Sequence, residues 1–154
     1  MRVVLYHPEI PPNTGNVARL CAALDVPLHL IEPLGFSLED RYLKRAGLDY
    51  WPHVRLTVWP GWKVFLAARP VGQRIIATSA RTGEPAHRFA FQADDDLLFG
   101  PETKGLPRAI LAQCDAAVRV PIFGRVRSIN LSTAAGIILH QALAVSGLLD
   151  EQKT

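Results

Sequence analysis

Three loops concentrate the residues able to do chemistry. The first runs from Ile10 to Arg19, where Pro11 and Pro12 precede Asn13, Thr14, Gly15 and Asn16, and Arg19 follows six residues after Asn13. It offers amide groups that can orient a substrate and one permanent cation. The second is Phe99-Gly100-Pro101-Glu102-Thr103-Lys104-Gly105-Leu106-Pro107. It follows an apolar run and enters a helical pattern, the usual place for ligands in open α/β sheets. Gly100 and Gly105 have the separation of a phosphate-binding P-loop, but Leu106 and Pro107 stand where that motif requires Lys and Ser or Thr. The side chains for phosphate and magnesium are missing, which argues against an NTPase. The third loop, Pro121 to Ser132, mixes Gly124, Arg125 and Arg127 with Ser128 and Asn130. On local grounds Ser128 or Asn130 either caps the helix that follows or presents a polar group to a ligand.

The elements that must hold these loops are legible as short β-rich runs separated by helical patterns. Strands are predicted over 3–6, 28–31, 55–59, 75–78, 97–99 and 117–120, several of them continuously apolar as strands covered on both faces tend to be. The alternation implies an α/β domain with a mainly parallel sheet. The first helix is expected to take Asn13 as its N-cap and to turn Val17, Leu20, Cys21 and Leu24 toward the core, with Asn16 and Arg19 on another face. Further helices are expected over 38–46, 62–68 and 107–114, the last with Pro107 in its first turn. A final helix over 131–146 has almost no polar face, so part of it is expected to pack on a second subunit. Residues 151–154 read as a frayed tail.

Size and composition set the remaining limits. The chain has 154 residues, 49% of them hydrophobic, enough for one ordinary domain spanning 1–154. Its formal charge of +3 comes from 17 basic against 14 acidic residues, a mild bias toward a polyanionic partner. Cys21 and Cys114 are distant in sequence and read as buried free thiols rather than a disulfide or a metal pair, which points to a reducing, cytoplasmic setting. No run is long enough for a membrane span. His7, His29, His53, His87 and His140 are dispersed without ligand spacing, so no metal is expected.

Taken together, Asn13-Thr14-Gly15-Asn16 with Arg19, Phe99-Gly100-Pro101-Glu102 with Gly105-Leu106-Pro107, and Ser128-Ile129-Asn130-Leu131-Ser132 resemble the three motifs of the SPOUT methyltransferases. The likeness is greatest to the small TrmL (YibK-like) branch, which methylates the ribose of the wobble nucleotide of tRNA. It extends to Tyr6-His7-Pro8-Glu9-Ile10-Pro11-Pro12 and to Arg45-Ala46-Gly47-Leu48-Asp49-Tyr50. Ile129, Thr133 and His140 depart from the methionine, asparagine and tyrosine common there.

The resemblance implies a parallel α/β sheet whose C-terminal part is threaded into a deep trefoil knot, an exception to the rule that chains avoid knots. It implies S-adenosyl-L-methionine as cofactor, leaving as S-adenosyl-L-homocysteine, held around Thr78, Gly100, Glu102, Ile122, Ser128, Asn130 and Leu131. It implies catalysis by Arg19, with Asn13, Glu102 and Asn130 orienting groups and Glu102 fixing Arg19 or another donor. The substrate would be position 34 of tRNA, cytidine or a modified uridine, in the anticodon stem-loop. The enzyme would be a homodimer joined through its last helix. Two other readings remain: an enzyme of the same class acting on rRNA ribose, and a catalytically inert RNA-binding module of the same fold.

Overall fold

The computed structural model describes residues 1–45 and 49–150. Seven strands form one parallel sheet in the order β3-β2-β1-β6-β4-β7-β5. They are β1 Arg2–Tyr6, β2 Leu28–Ile31, β3 Leu56–Trp59, β4 Ile75–Thr78, β5 Glu84–Pro85, β6 Asp96–Phe99 and β7 Ala116–Arg119. The helices are α1 Pro11–Ala23, α2 Arg41–Arg45, α3 Trp62–Ala68, α4 Arg108–Leu111 and α5 Leu131–Val145. A 3-10 turn, Trp51–His53, leads into β3.

The inner strands are apolar at consecutive positions because both faces are covered. Val3, Leu5, Leu97 and Phe99 pack under α1 and α5, against Val17, Cys21, Ile138 and Leu139. The alternate residues Val4, Tyr6 and Leu98 join Trp62 and Phe65 of α3 and Ile110 of α4. β1 pairs with β2 on one side and β6 on the other, from Arg2 opposite Asp96 to Leu5 opposite Phe99. Because the chain builds outward from β1 in one direction and then returns to its other side, β1 and β6 flank the point where strand order reverses. Ligand crevices open there, at the carboxyl ends of the strands.

Three helices differ from the sequence expectation, among them α4, which spans Arg108–Leu111 rather than 107–114 and has Pro107 as its N-cap rather than in its first turn. Asn13 does not cap α1, which starts three residues earlier than such a cap would set it, with Ile10 as N-cap and no side-chain cap. Pro11 and Pro12 bring a helical φ and lack the N–H groups a cap would satisfy, so the helix begins on them and Asn13 falls inside it. α2 begins at Arg41 rather than Leu38, and the expected end at Ala46 lies outside the described residues, as does the tail 151–154. α5 has the two apolar sides that its sequence suggests. Ala135, Ile138, Leu139, Ala142 and Leu143 are buried in the chain's own core, while Ile137 and Val145 are each 45% exposed.

Candidate functional site

The loops after β1, β4, β6 and β7 meet at the carboxyl edge of the sheet around a cleft of about 830 Å³. That size lies within the roughly 300–1,000 Å³ typical of small-molecule sites. Phe99, Val120, Ile122, Leu131 and Ile138 give it apolar walls, and Thr78, Gly100, Glu102, Ser128 and Asn130 also line it. Every residue that the sequence proposed for the cofactor is therefore on one cleft. Of the proposed catalytic set, Asn13, Glu102 and Asn130 line it and Arg19 does not.

Glu102 ties the first two loops together. Its Oε2 accepts from the backbone N–H of Glu9 at 2.8 Å and its Oε1 from that of Ile10 at 3.1 Å, just ahead of α1. A carboxylate there also meets the positive end of the helix. In return, Thr103 donates its N–H (3.1 Å) and its hydroxyl (2.8 Å) to Glu9 Oε1. These bonds hold the Glu9 carboxyl below the usual range, the Thr103 N–H being the larger cause.

Asn13 continues the chain of contacts. Its Nδ2 reaches Glu102 Oε1 at 3.5 Å, and its Oδ1 accepts from Asn130 Nδ2 at 2.9 Å. Asn130 in turn caps α5, its Oδ1 accepting from the N–H groups of Ser132 (2.9 Å) and Thr133 (3.4 Å). Of the two alternatives open for the third loop, Asn130 is the cap and also faces the cleft. One polar thread, Glu102 to Asn13 to Asn130, thus joins all three motifs.

Glu102 does not hold Arg19: among the described residues no hydrogen bond or ion pair joins them. Arg19 is exposed on α1, its guanidinium 5.4 Å from the centre of the Tyr50 ring. Tyr50 is anchored by its hydroxyl, which donates to the Gly15 carbonyl at 3.2 Å. Partial burial raises the Tyr50 pKa, and the Arg19 charge offsets part of that rise. Six residues separate Arg19 from Asn13, ~9 Å along the helix axis and ~240° around it, so the two point different ways.

Gly100 is required by the loop itself. A Cβ there would stand 2.4 Å from Leu106 N and 2.6 Å from Gly105 C, so the loop could not fold back across its own start. Gly105, at φ +67°, makes that return possible. The nearest constraint on Gly100 is thus internal to the loop rather than the approach of a ligand.

The charge of the rim is legible in the sequence only in part, through Arg125 and Arg127 of the third loop and Lys104 of the second. Arg81, Lys104, Arg108 and Arg127 line the cleft, with Glu102 the one acid beside them among the described residues. Among the described residues no ion pair engages Arg81, Arg108 or Arg127. Arg81 belongs to the loop after β4, whose single legible signal was Gly83, at φ +102° and packed on β7 backbone. The backbone groups of residues 121–129 make no hydrogen bond within the described chain, leaving N–H and C=O groups free along one wall.

The cysteines are not part of the site. Burial pushes the Cys21 thiol up to about 12 and the Cys114 thiol up to about 11, so both are protonated at neutral pH. No cluster of three or more His, Cys, Asp or Glu able to hold a metal occurs among the described residues.

An open parallel sheet with an apolar-walled, cation-rimmed cleft at the carboxyl ends of its strands places this chain among the α/β proteins that bind ligands at such a crevice. The chain belongs to the SpoU rRNA Methylase family, which it matches over residues 1–140. It is 47% identical to a tRNA (cytidine(34)-2'-O)-methyltransferase of Methylovorus glucosotrophus, over 91% of this chain and 92% of that one. A solved structure described in terms of the 2-OH methylation of C/U34 on tRNA is 50% identical, covers 94% of each chain and superposes with a TM-score of 0.91. The SpoU methyltransferase AviRb of Streptomyces viridochromogenes, solved with AdoMet, is 25% identical with a TM-score of 0.84; 94% of this chain matches 57% of it.

Proposed function

We propose that the chain methylates the ribose 2′-hydroxyl of nucleotide 34 of tRNA, cytidine or a modified uridine, using S-adenosylmethionine. The observation that carries this reading is the joining of all three motifs at one cleft, through Glu102, Asn13 and Asn130. Identity near half over almost the full length of a position-34 methyltransferase supports tRNA over rRNA.

The cleft fits the cofactor. Its apolar walls suit an adenine ring, and the free backbone groups of 121–129 suit the polar edges of adenine and of an amino acid. Thr78, Gly100, Glu102, Ile122, Ser128, Asn130 and Leu131 would hold it. S-adenosylmethionine, when bound, supplies a methyl group activated on sulfur. The protein's part is to align the ribose oxygen and to stabilise its developing negative charge. Arg19 is assigned that electrostatic role rather than that of a base, because a guanidinium keeps its proton throughout the physiological range. Asn13 and Asn130 orient groups within the cleft, and Glu102 keeps the α1 loop in register with them.

Arg19 faces away from its own chain's cleft, so the assignment requires a second copy. α1 packs on α5, with Leu20 beneath Gly136, and the exposed Ile137 and Val145 provide an apolar outer face. A homodimer through α5 would place the Arg19 of one subunit near the cleft of the other. We further infer that the segment after β7 is threaded as a trefoil knot. Its support is the return path from β7, outside β4, to α5 beside α1. Free thiols and a tRNA substrate fit a cytoplasmic enzyme; no helix of the described residues is long and apolar enough to cross a membrane.

The test is incubation with tRNA or rRNA and S-adenosylmethionine, followed by nucleoside mass spectrometry. A 2′-O-methyl group at tRNA position 34 is expected, and methylation of rRNA alone would overturn the reading. Cofactor binding without methylation of either would favour the inert module.

A further inference from the structure

Phe123 is 97% exposed, although it directly follows Ile122, which lines the cleft. Of the Phe, Tyr and Trp side chains that the structure describes, it alone is exposed. Leaving a phenyl ring in water forgoes the full or partial burial that the other described Phe, Tyr and Trp side chains obtain. Arg125, Val126 and Arg127 follow it and are exposed too, and neither arginine has an acidic partner among the described residues. Arg81 and Arg108, also unpaired, stand on the same cleft as Arg127. An isolated surface hydrophobe needs no explanation. An aromatic ring set among unpaired guanidinium groups, one residue from a cleft wall, is a specific arrangement.

We propose that Phe123 is a stacking platform for an unpaired RNA base adjoining the methylated nucleotide, with Arg125 and Arg127 holding the phosphates on either side. This rests on the RNA-methylating function proposed above. Every base has a π-face, and RNA-binding surfaces pair such rings with cationic grooves. Neighbouring residues are ~3.8 Å apart along the chain, so a base on Phe123 would sit beside the pocket of Ile122 rather than in it. Charge selects the RNA over a second copy of the chain, because a copy would bring the same unpaired arginines and the same net charge of +3.

The experiment measures binding of a fluorescein-labelled anticodon stem-loop hairpin to wild type, Phe123→Ala, Phe123→Leu and Phe123→Trp, with sedimentation of each. Phe123→Ala is expected to weaken binding about fivefold or more. Phe123→Leu should be as weak and Phe123→Trp should restore affinity, with sedimentation and cofactor affinity unchanged. Removing the stacked base from one loop position should abolish the difference between wild type and Phe123→Ala. Arg125→Gln and Arg127→Gln should each lower the salt dependence by about one released counterion, while the Phe123 variants should not. Wild-type binding by Phe123→Ala or Phe123→Leu would overturn the proposal, and so would a change of oligomeric state in Phe123→Ala. The binding readout is independent of methyl transfer, so a chain that binds as predicted yet methylates nothing would refute the function and spare this inference.

Discussion

At the amino end of the sheet Asp95 and Asp96 are completely buried, and each of their carboxylate oxygens has a donor. Arg2 grips Asp96 through Nε and Nη2, both at 2.6 Å, and Gln73 adds a bond at 2.8 Å. Arg74 grips Asp95 in the same two-pronged way, and the Gln92 N–H completes it. At the carboxyl end Glu102, Asn13 and Asn130 bond one another and nearby backbone, with the Asn13 to Glu102 contact as long as 3.5 Å. The backbone of residues 121–129 makes no hydrogen bond among the described residues. One sheet therefore separates two uses of polarity. Buried charges with every partner in place pin the strand starts, and the polar groups at the other end line an open cleft.

The largest effect that could break this contrast is expected at the pinned end. Asp96→Ala removes the acid from a pair in which Asp96 is fully buried and Arg2 is 19% exposed. Breaking such a pair costs ~3–5 kcal/mol, and the low end applies because Arg2 can reach water. Urea unfolding should show a loss of about 3 kcal/mol, with cofactor affinity per folded molecule unchanged. A loss under about 1 kcal/mol would mean that the amino end is no more committed than the carboxyl end.

Next in size is Arg19, where the effect should fall on rate and spare stability. Arg19→Ala should leave folding and cofactor affinity nearly intact while lowering single-turnover methylation about a hundredfold, the scale of losing one oxyanion donor. Arg19→Lys should recover only part of it, because an ammonium lacks the planar fork. Near wild-type turnover by Arg19→Ala at saturating RNA and cofactor would reduce Arg19 to a surface cation resting on Tyr50.

His29 lies between the two ends, buried in β2, its Nδ1 accepting from Trp59 Nε1 at 2.8 Å. Desolvation, and then the nearby Arg2 charge, lower its pKa from 6.5 to about 4. The folded protein refuses a proton that the unfolded chain accepts, so stability falls as pH drops below about 6.5 and levels off below about 4. At pH ~5 the cost is on the order of 2 kcal/mol, at ~1.4 kcal/mol per pH unit. His29→Asn keeps an acceptor for Trp59 and cannot titrate, so the loss of stability from pH 7 to 5 should shrink by about that amount. An unchanged acid limb would move the effect to other groups.

Much of this organisation is legible in the residue order. The apolar runs locate the six longer strands to within a residue or two, because covered parallel strands write their burial directly into sequence. The two-residue β5 leaves no periodicity to read. Asn13 is misread as a cap because its type suits one, while the fixed φ of two prolines decides where α1 begins. The loops of the site are recognisable, but the partners of Glu102 are backbone groups 92 and 93 residues away, which no local pattern encodes. That Arg19 turns from its own cleft follows from helical phase once the start of α1 is known.

The smallest expected effect tests whether the thread at the carboxyl end behaves as one unit. Asn13 is 6% exposed, and its 2.9 Å bond with Asn130 joins the first and third motifs. Asn13→Ala leaves Asn130 Nδ2 facing a cleft open to water, so it should cost about 1 kcal/mol of stability, the scale of one neutral hydrogen bond. Asn130→Ala also loses the cap of α5, for a further ~1 kcal/mol. If the two asparagines act on the cofactor through their mutual bond, the double variant should lose less affinity than the sum of the singles, with a coupling of about 1 kcal/mol by calorimetry. Strict additivity would mean that Asn130 serves the cleft alone and that Asn13 only packs α1 against the loop of Glu102.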